Sequence, residues 1–504
     1  MDMDAKYSQG ALVTAEEMRL AEAAAMAAGV PEEALMDAAG AGLAAELFRF
    51  LPRGRGAVIF AGKGHNAGDA CAVAAHLLDA GWMVELRSVW PGAEWRPLAH
   101  KKWQAVRDRV TVAALEAALP PWADVLIDGL LGTGARGPLH GEMRVACVAM
   151  NRLRERHGLE TFAIDLPSGL DPDTGSVDAA AVVADVTAAL GFAKVGFVCP
   201  GAEDFTGRLA VVPLPGVSAP AVAAGRGALA LPVDLCQLLP RRSFSMHKGQ
   251  AGRVGIVAGS SGLTGAARLA SMAACAAGGG LVTLFCPREV WPVLAATCPP
   301  EVMVKAVSSC LEVMDFHLDA IGIGPGMGQA PLPYLADLLM RDSRPVIVDA
   351  DALNAMALGR ISLAGRAGGA RLLTPHPGEW SRLASAFGWA EVNELTESWR
   401  IDVLAKSART KVHSPGCAPL YNTTGHPAMA RGGMGDVLTG FLAASASQGM
   451  PLRDAAALGS WLLGRGAELA LLAGETEASL TPTAVMRHAT TGAFAELRRA
   501  CSFS

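Results

Sequence analysis

A short glycine-rich phrase near the C-terminal end carries the residues best suited to chemistry. Residues 431–436 read RGGMGD, and a helix-like run begins at Val437. A glycine-rich turn that opens a helix aims backbone N–H groups at one point, beside the positive end of the helix dipole. Asp436 follows that turn, where it could take a proton from a bound hydroxyl group. The phrase predicts phosphoryl chemistry on a small hydroxyl compound. A plain turn before a core helix is the alternative.

A second glycine-rich phrase lies in the first half of the chain. Residues 62–69 read GKGHNAGD, directly after the short apolar run 57–60 and before a helix-like stretch. Glycine lets a backbone approach a phosphate closely at such a strand-to-helix turn. No Lys-Ser or Lys-Thr pair follows, so the phrase is not a P-loop.

Polar residues also follow two other predicted strands of the first half. Asp128 ends the run 124–128, Asp165 ends the run 161–165, and Ser168 comes three residues later. Because the carboxyl ends of parallel strands share one edge, we expect these residues to meet Asn66 there. Their amide, carboxylate and hydroxyl oxygens suit a hard monovalent or divalent cation. Each residue could instead cap a helix N-terminus.

The second half repeats this arrangement of polar or glycine-rich phrases at predicted strand ends. Each phrase has a plain explanation as a tight turn, a helix cap or a loop, but all occur in order along one chain. The phrases are GSSGLTGAA at 259–267, GIGPGMG at 322–328, DADALN at 349–354, TPHPGE at 374–379 and KSART at 406–410, with HKG at 247–249 before the first strand.

Composition excludes several classes of protein. The 504 residues are 51% hydrophobic and 18% charged, with a formal net charge of −5 and no Lys/Arg-rich stripe, which argues against nucleic-acid binding. No uncharged apolar run is long enough for a membrane span, and the acidic N-terminus MDMD argues against a targeting peptide. The ten Cys form no C-x-x-C pair, which predicts reduced, mostly buried thiols, no structural zinc and a cytoplasmic protein.

Apolar strand-like runs alternate with helix-like runs in both halves, so we predict the α/β class with parallel sheets covered on both faces. A proline-rich stretch of small residues at 216–240 predicts a linker between domains at 1–215 and 241–504. The predicted strands are 57–60, 83–89, 124–128, 161–165, 209–212, 253–258, 281–285, 320–323, 345–349 and 371–374. The predicted helices are 14–28, 33–50, 71–80, 264–277, 434–448, 453–472 and 483–499.

The phrases of the first half resemble the NAD(P)H-hydrate epimerase domain, a Rossmann-like three-layer α/β/α sandwich, over about residues 11–215. The resemblance implies K⁺ bound by Asn66, Asp128 and Ser168, and Asp165 as the acid/base residue. The substrate-binding residues it implies are His65, Asn66, Ala67, Gly68, Asp69, Gly132, Thr133, Gly134, Ala135, Arg136, Gly137, Pro138 and Asp165. The family usually has NNGGDG where residues 65–70 read HNAGDA, and MENAG where residues 36–40 read MDAAG.

The phrases of the second half resemble the ribokinase-like NAD(P)H-hydrate dehydratase domain, also an α/β/α fold, over about residues 241–500. The resemblance implies that Gly265, Ala266, Gly326, His376 and Asp436 face the hydrated dinucleotide, with Asp436 as the catalytic base. It also implies that an adenine nucleotide contacts Lys406, Ser407, Ala408, Arg409, Thr410 and Gly435, with Mg²⁺ present. The family usually has Lys-Gly where this chain has Lys406-Ser407, and Ser where it has Met434.

The two resemblances together imply a bifunctional NAD(P)H-hydrate repair enzyme. The N-terminal domain would interconvert (R)- and (S)-NAD(P)HX, and the C-terminal domain would dehydrate the S epimer at the expense of ADP or ATP. A small-molecule kinase of the ribokinase-like fold with a non-catalytic N-terminal binding module is the alternative. The choice between ADP and ATP, the choice between NADHX and NADPHX, and the formation of a homo-oligomer stay open.

Overall fold

The computed structural model describes residues 5–135, 137–220, 223, 225–241, 243–330 and 332–501. The chain divides into two compact units. One comprises residues 7–231, and the other comprises residues 232–501 together with residues 5 and 6. The division between residues 231 and 232 falls inside the proline-rich stretch 216–240. Within the described ranges, no helix is both long enough and apolar enough to cross a membrane.

The N-terminal unit alternates strands and helices. Its strands are β1 Leu12–Val13, β2 Gly56–Ala61, β3 Met83–Ser88, β4 Thr111–Val112, β5 Val125–Gly129, β6 Glu160–Ile164, β7 Val186–Leu190, β8 Ala193–Lys194, β9 Arg208–Val212 and β10 Ala228–Leu229. Its helices are α1 Ala15–Ala27, α2 Glu32–Phe50, α3 His65–Asp79, α4 Pro97–Val106, α5 Gly141–His157 and α6 Glu203–Thr206.

Seven of these strands form one parallel sheet in the order β4-β3-β2-β5-β6-β7-β9. The chain builds outward from β2 in one direction and from β5 in the other, so the switch point lies between β2 and β5. Alternate residues of β2 enter different cores: Ala57 and Ile59 pack on one face, and Val58 and Phe60 on the other. Both faces are therefore covered, as the apolar runs predicted.

The C-terminal unit has more elements. Its strands are β11 Arg253–Val257, β12 Leu281–Pro287, β13 Val302–Val307, β14 Ala320–Ile323, β15 Val346–Val348, β16 Arg371–Leu373, β17 Asp402–Ala405, β18 Lys411–His413 and β19 Leu420–Tyr421. Its helices are α7 Pro232–Leu235, α8 Thr264–Ala276, α9 Trp291–Thr297, α10 Cys310–Met314, α11 Leu335–Arg341, α12 Ala350–Gly359, α13 Pro377–Phe387, α14 Val392–Trp399, α15 Met434–Ser447, α16 Leu452–Leu472, α17 Pro482–His488 and α18 Phe494–Ala500.

These nine strands follow the order β19-β18-β17-β16-β15-β14-β11-β12-β13. The strands from β13 to β17 are parallel, and β17, β18 and β19 pair antiparallel. A second switch point lies between β11 and β14. Helix α15 packs on α8 and against β11 and β14, so its N-terminus lies near this switch point.

Several predicted elements differ from the structure. Helix α3 begins at His65 rather than at residue 71, because the glycine-rich turn ends at Gly64, which caps the helix. The run predicted as one helix at 483–499 is interrupted by a π-helical turn at Ala489–Ala493. The strands that were not predicted are β1, β4, β7, β8, β10, β13, β17, β18 and β19. The predicted linker holds α7 and a short 3₁₀ turn at Cys236–Leu238.

The cysteine prediction is wrong for one pair. Cys236 and Cys501 form a disulfide within the C-terminal unit, across 265 residues of sequence. The other eight Cys form no disulfide, as the sequence predicted.

Candidate active sites

The N-terminal unit brings its three predicted cation ligands together beside the switch point. Ser168 donates two hydrogen bonds to Asp128, from Oγ to Oδ1 at 2.8 Å and from its backbone N to Oδ2 at 2.7 Å. The backbone of Leu131 connects Asn66 to this pair. The Leu131 carbonyl oxygen accepts a hydrogen bond from Asn66 Nδ2 at 2.9 Å, and the Leu131 backbone N donates one to Ser168 Oγ at 3.0 Å.

The donor set at this point fits a hard cation. Asn66 Oδ1 is buried and has no hydrogen-bond partner within the described part of the chain. Asp128 is fully buried, and burial raises the pKa of its carboxyl to about 6. A buried amide oxygen, a hydroxyl and a carboxylate are oxygen ligands that suit a hard cation.

Asp165 lies immediately after β6 rather than at its end. Its φ of +66° is left-handed, a conformation that aspartate adopts at a cost and that recurs at functional sites. Asp165 Oδ1 accepts a hydrogen bond from the backbone N of Leu190 at 3.1 Å and forms an ion pair with Lys194 Nζ. Sequence reasoning missed Lys194; its signal is a single lysine within the apolar stretch 186–198.

Two more carboxyl groups lie near Asp165. Asp69, on the first turns of α3, is only 7% exposed, and burial raises its pKa, with the charges of Asp165 and Glu22 adding to the effect. Glu22 on α1 is half-buried, and its pKa is raised by burial and by Asp165, while Lys194 opposes the shift. Glu22 is a second residue that the sequence did not indicate.

A cavity of about 360 Å³ adjoins the cation ligands, since Leu131 and Gly169 line it. Four of the predicted substrate-binding residues, Gly132, Ala135, Gly137 and Pro138, line this cavity. Thr133 and Gly134 belong to the same loop but do not line the cavity, and Arg136 lies outside the described residues.

The other predicted residues of this unit lie on α3. His65 is exposed, with Nε2 3.3 Å from Glu32 Oε1, whereas Gly68 is buried. Ala67 is buried in regular helix and has no positive φ, so alanine in place of the family's glycine carries no backbone cost there.

The C-terminal unit centres its polar residues on a buried ion pair. Asp349, which caps α12, accepts from Lys406 Nζ at 2.7 Å and from Thr439 Oγ1 at 2.7 Å. Burial alone would raise the pKa of Asp349, but the Lys406 ammonium and these hydrogen bonds lower it overall. Burial alone would lower the pKa of Lys406, but Asp349 and Glu379 raise it overall, so both members are charged. Thr439 was not predicted.

The RGGMGD turn lies directly against this pair. Gly433 caps α15 with φ +96°, and a Cβ added to Gly435 would lie 3.4 Å from Lys406 Nζ and 3.5 Å from Asp349 Oδ2. Burial raises the pKa of Asp436 to about 6, Asp349 adds to the shift, and Lys406 opposes it. The structure therefore brings Lys406, Gly435 and Asp436 together.

The turn after β14 completes the surroundings of Asp349. A Cβ on Gly324, whose φ is +125°, would lie 1.8 Å from Asp349 O, so only glycine fits. A Cβ on Gly326 would lie 2.9 Å from Ala266 Cβ, which places these two predicted residues side by side. Gly265 lies on the exposed first turn of α8.

The remaining predicted residues reach the ion pair less directly. His376 caps α13 through Nδ1, which accepts from Gly378 N at 3.0 Å, and its Nε2 is 3.4 Å from Glu379 Oε1. Glu379 Oε2 is 3.9 Å from Lys406 Nζ, so Glu379 connects the two. The loop between β17 and β18 holds Ser407, Ala408, Arg409 and Thr410, and it is closed by Thr410 Oγ1 donating to Ser407 O at 3.0 Å.

Comparison with known proteins places both units in recognised families. The family model for NAD(P)H-hydrate dehydratase matches residues 254–490, and the model for the YjeF-related protein N-terminus matches residues 32–196. The bifunctional NAD(P)H-hydrate repair enzyme Nnr of Moorella thermoacetica is 36% identical over 90% of this chain and 91% of its own length. Nnr of Pyrobaculum aerophilum is 32% identical over 90% of this chain and 93% of its own length.

Solved structures similar to this chain include two that align with about half of it. One is the ADP/ATP-dependent NAD(P)H-hydrate dehydratase of Bacillus subtilis co-crystallised with ATP/Mg²⁺, 26% identical over 53% of this chain and 98% of its own, with a TM-score of 0.45. Another is a ribokinase-like superfamily protein of Enterococcus faecalis, 24% identical over 53% of this chain and 95% of its own, with a TM-score of 0.46.

The fold and sites define a two-domain α/β enzyme, Rossmann-like in its N-terminal unit and ribokinase-like in its C-terminal unit. The chain belongs to the family of bifunctional NAD(P)H-hydrate repair enzymes. It combines an epimerase with a dehydratase, which confirms the activity predicted from its sequence.

Proposed function

We propose that the N-terminal unit interconverts (R)- and (S)-NAD(P)HX, and that the C-terminal unit dehydrates (S)-NAD(P)HX with ADP as the preferred co-substrate. One observation carries the dehydratase assignment: Asp436 follows a glycine-rich helix N-terminus that lies against the Lys406–Asp349 ion pair. A base, backbone donors and a fixed cation thus meet at one point.

For dehydration, Asp436 takes the proton of the hydroxyl on carbon 6 of the hydrated nicotinamide ring. The oxygen then attacks the terminal phosphoryl group of the nucleotide, and the bond from that phosphorus to the remaining nucleotide breaks. The first-turn amides of α15 have no intrahelical acceptors, so they can stabilise the developing charge together with Lys406. The ring nitrogen expels phosphate from carbon 6, and loss of a proton from carbon 5 restores the double bond.

Mg²⁺ would arrive with the nucleotide in this proposal. Within the described ranges, no group of three or more His, Cys, Asp or Glu side chains could hold a metal ion. Mg²⁺ commonly binds through one or two carboxylates plus substrate phosphates, so the phosphates would supply most of its ligands. The other proposed nucleotide contacts are those of the 406–410 loop and Gly435. Gly265, Ala266, Gly326 and His376 would face the hydrate.

For epimerisation, Asp165 carries the proton as the hydroxyl leaves carbon 6 and returns. Lys194 holds Asp165 in place and stabilises its carboxylate. The residues at 65–69 and 132–138 would bind the dinucleotide. Asn66, Asp128 and Ser168 would hold K⁺, which supplies a fixed positive charge beside the substrate.

One assay tests the division of labour. Mixed hydrate epimers are supplied with ADP or with ATP, and recovery of the reduced-ring absorbance is followed. We expect recovery to need nucleotide and to be faster with ADP. A stable phosphorylated product would contradict the proposal and favour a small-molecule kinase.

The Asp436→Asn variant tests the base. We expect dehydration to fall at least about 100-fold, because the amide cannot accept the proton, while nucleotide affinity is unchanged. Asp337→Asn, on α11 in a partly exposed ion pair with Arg341, is the matched control and should keep full activity. Turnover by Asp436→Asn near the unmutated rate would remove Asp436 as the base.

A further inference from the structure

The phrase DADALN contains a second aspartate that the mechanism above does not use. Asp351 lies on the first turn of α12, two residues after Asp349, which caps that helix. Ala350 between them has φ +50°, a left-handed conformation that alanine adopts only at an energetic cost. The two aspartates have different partners, because Asp349 is bonded to Lys406, whereas Asp351 is bonded to a backbone amide.

Asp351 holds the glycine-rich turn that follows β14. Its Oδ2 accepts a hydrogen bond from the backbone N of Gly328 at 2.8 Å. Within the described ranges, no other side chain forms a hydrogen bond with residues 324–328. The remaining hydrogen bonds of the turn are between backbone atoms, such as that from Gly259 N to Pro325 O at 2.9 Å. Asp351 therefore provides the side-chain anchor of this turn.

The same turn lies against the loop that precedes α8. A Cβ added to Gly326 would lie 2.6 Å from Leu263 O and 2.9 Å from Ala266 Cβ. Gly326 and Gly328 both have positive φ, and glycine restricts its own backbone less than any other residue. A displacement of Gly328 would therefore move Gly326 relative to Ala266, and both of these are proposed to face the hydrate.

Two further side chains connect Asp351 to α13. Asn354, one helical turn along α12, donates from Nδ2 to Asp351 Oδ1 at 3.4 Å. Arg382 on α13 donates from Nε to Asn354 Oδ1 at 2.8 Å. Helix α13 begins directly after His376, another residue proposed to face the hydrate. These side chains therefore connect two segments of the proposed hydrate site, the turn after β14 and the start of α13.

We propose, on the basis of the dehydratase site described above, that Asp351 is a positioning residue for the hydrated dinucleotide. It holds the 324–328 turn against Ala266, so that Gly326 is in place when the hydrate binds. Asn354 and Arg382 keep the Asp351 carboxylate in position.

The proposal separates the two substrates of the dehydratase. The nucleotide contacts proposed at 406–410 and at Gly435 belong to other elements, the loop after β17 and helix α15. Loss of the Asp351 anchor should therefore weaken binding of the hydrate and leave binding of the nucleotide unchanged.

The charge of Asp351 also acts on the proposed base. Burial and the carboxylates of Asp349 and Asp351 raise the pKa of Asp436, and the Lys406 ammonium opposes them. A neutral residue in place of Asp351 should lower the pKa of Asp436. Because the base works only when ionised, the loss of dehydration in acid should then begin at a lower pH.

Two substitutions of Asp351 test the proposal in the full chain with pure S epimer. Asp351→Ala removes the acceptor and the charge, whereas Asp351→Asn removes only the charge, because its amide oxygen can still accept from Gly328 N. Asp351→Ala should raise KM for the hydrate at least about 10-fold, with KM for the nucleotide unchanged. Asp351→Asn should restore KM for the hydrate to within about threefold of the unmutated value. Both variants should shift the pH profile of kcat/KM to lower pH.

Asn354→Ala tests the connection to α13 while the bond from Gly328 to Asp351 remains. It should raise KM for the hydrate less than Asp351→Ala does. The double variant should equal Asp351→Ala alone, because Asn354 acts through Asp351. Additive effects would contradict this connection.

A matched control separates positioning from a general loss of structure. Asp337→Ala removes another aspartate from the first turn of a helix, α11, where Asp337 pairs with Arg341, and both KM values should stay unchanged. Circular dichroism verifies folding, and Asp351→Asn and Asn354→Ala carry the test if Asp351→Ala does not fold.

Three outcomes would overturn the proposal: an unchanged KM for the hydrate in Asp351→Ala, an equal rise in KM for the nucleotide, or a KM in Asp351→Asn as high as in Asp351→Ala. If the unmutated protein restores no reduced cofactor from the S epimer with either nucleotide, the proposed dehydratase function is wrong instead.

Discussion

At the scale of single residues, each site sets a carboxyl group near a lysine that forms an ion pair. In the N-terminal unit Lys194 contacts Asp165 directly. In the C-terminal unit Lys406 is bonded to Asp349, and Asp436 lies near both. The Asp349 carboxylate raises the pKa of Asp436 and the Lys406 ammonium lowers it. Burial has the largest effect, and the pKa is raised overall.

The raised pKa of Asp436 predicts a pH dependence for dehydration. The pKa of Asp436 is raised to about 6, and a base works only when ionised, so kcat/KM should fall as pH falls through about 6. The measurement uses pure S epimer, so that epimerisation does not limit the rate, and circular dichroism verifies folding at each pH. A rate that stays constant well below this pKa would contradict the role of Asp436.

At the scale of elements, the N-terminus of α15 is shaped by one glycine. Gly433 has φ +96°, and an added Cβ would lie 2.9 Å from Leu269 Cδ1 and 3.0 Å from Pro482 Cγ. Gly449, just after the same helix, has φ +85° but no atom within 4 Å of an added Cβ. The two glycines thus share a backbone conformation and differ in their surroundings.

We expect Gly433→Ala and Gly449→Ala each to lower the free energy of unfolding by about 1–2 kcal/mol, since alanine disfavours positive φ. Only Gly433→Ala should also lose dehydration, because relief of the contact with Leu269 displaces the amides beside Asp436. Urea unfolding and turnover measure the two effects. Equal dehydration rates in both variants would contradict this prediction, because the 431–436 turn would then function with alanine at position 433.

The disulfide links two elements, because it joins the end of α18 to the 3₁₀ turn at Cys236–Leu238. Helix α18 packs on α7 and on that turn, so the bond fastens the end of the described chain to the beginning of its unit. A cross-link across 265 residues restricts the unfolded chain strongly.

Reduction should therefore destabilise the C-terminal unit. A reducing agent or Cys501→Ser should lower its free energy of unfolding by about 2–4 kcal/mol, and the reducing agent should have no further effect on the variant. The control is Cys275→Ser, which removes a free thiol. An unfolding midpoint that is the same with and without reductant would contradict a stabilising bond.

At the scale of the whole molecule, each unit has its own switch point and its own candidate site. The candidate residues for epimerisation all lie in 7–231, and those for dehydration all lie in 232–501. We therefore expect each activity to depend on residues of its own unit.

Site-specific variants of the full chain should separate the two activities. Asp165→Asn should dehydrate the S epimer at the unmutated rate but leave the R epimer to its slow spontaneous epimerisation. Asp436→Asn should epimerise normally and restore no reduced cofactor. Single-epimer substrates and chromatography distinguish these outcomes. Equal slowing of both epimers by Asp165→Asn would refute the division.

The sequence by itself determined the α/β class and the activity of this chain, together with most central strands and fewer than half of the described helices, among them α1, α2, α8, α15 and α16. Local sequence patterns indicate these features. A buried strand has an apolar run of residues, and a glycine-rich or aspartate-containing phrase follows its carboxyl end. The phrases at 62–69 and 431–436, and the residues Asp165 and Ser168, could therefore be found without coordinates. The roles of their residues stay proposals.

Only the tertiary structure decided the partners of those phrases. Lys194 and Glu22 carry no phrase of their own, and each comes to its site from a distant element. The strands β17, β18 and β19 are short and pair antiparallel at one side of the sheet, which no local run indicates. Cys236 and Cys501 meet for the same reason: contact between distant segments depends on how elements pack, and local residue patterns do not encode that packing.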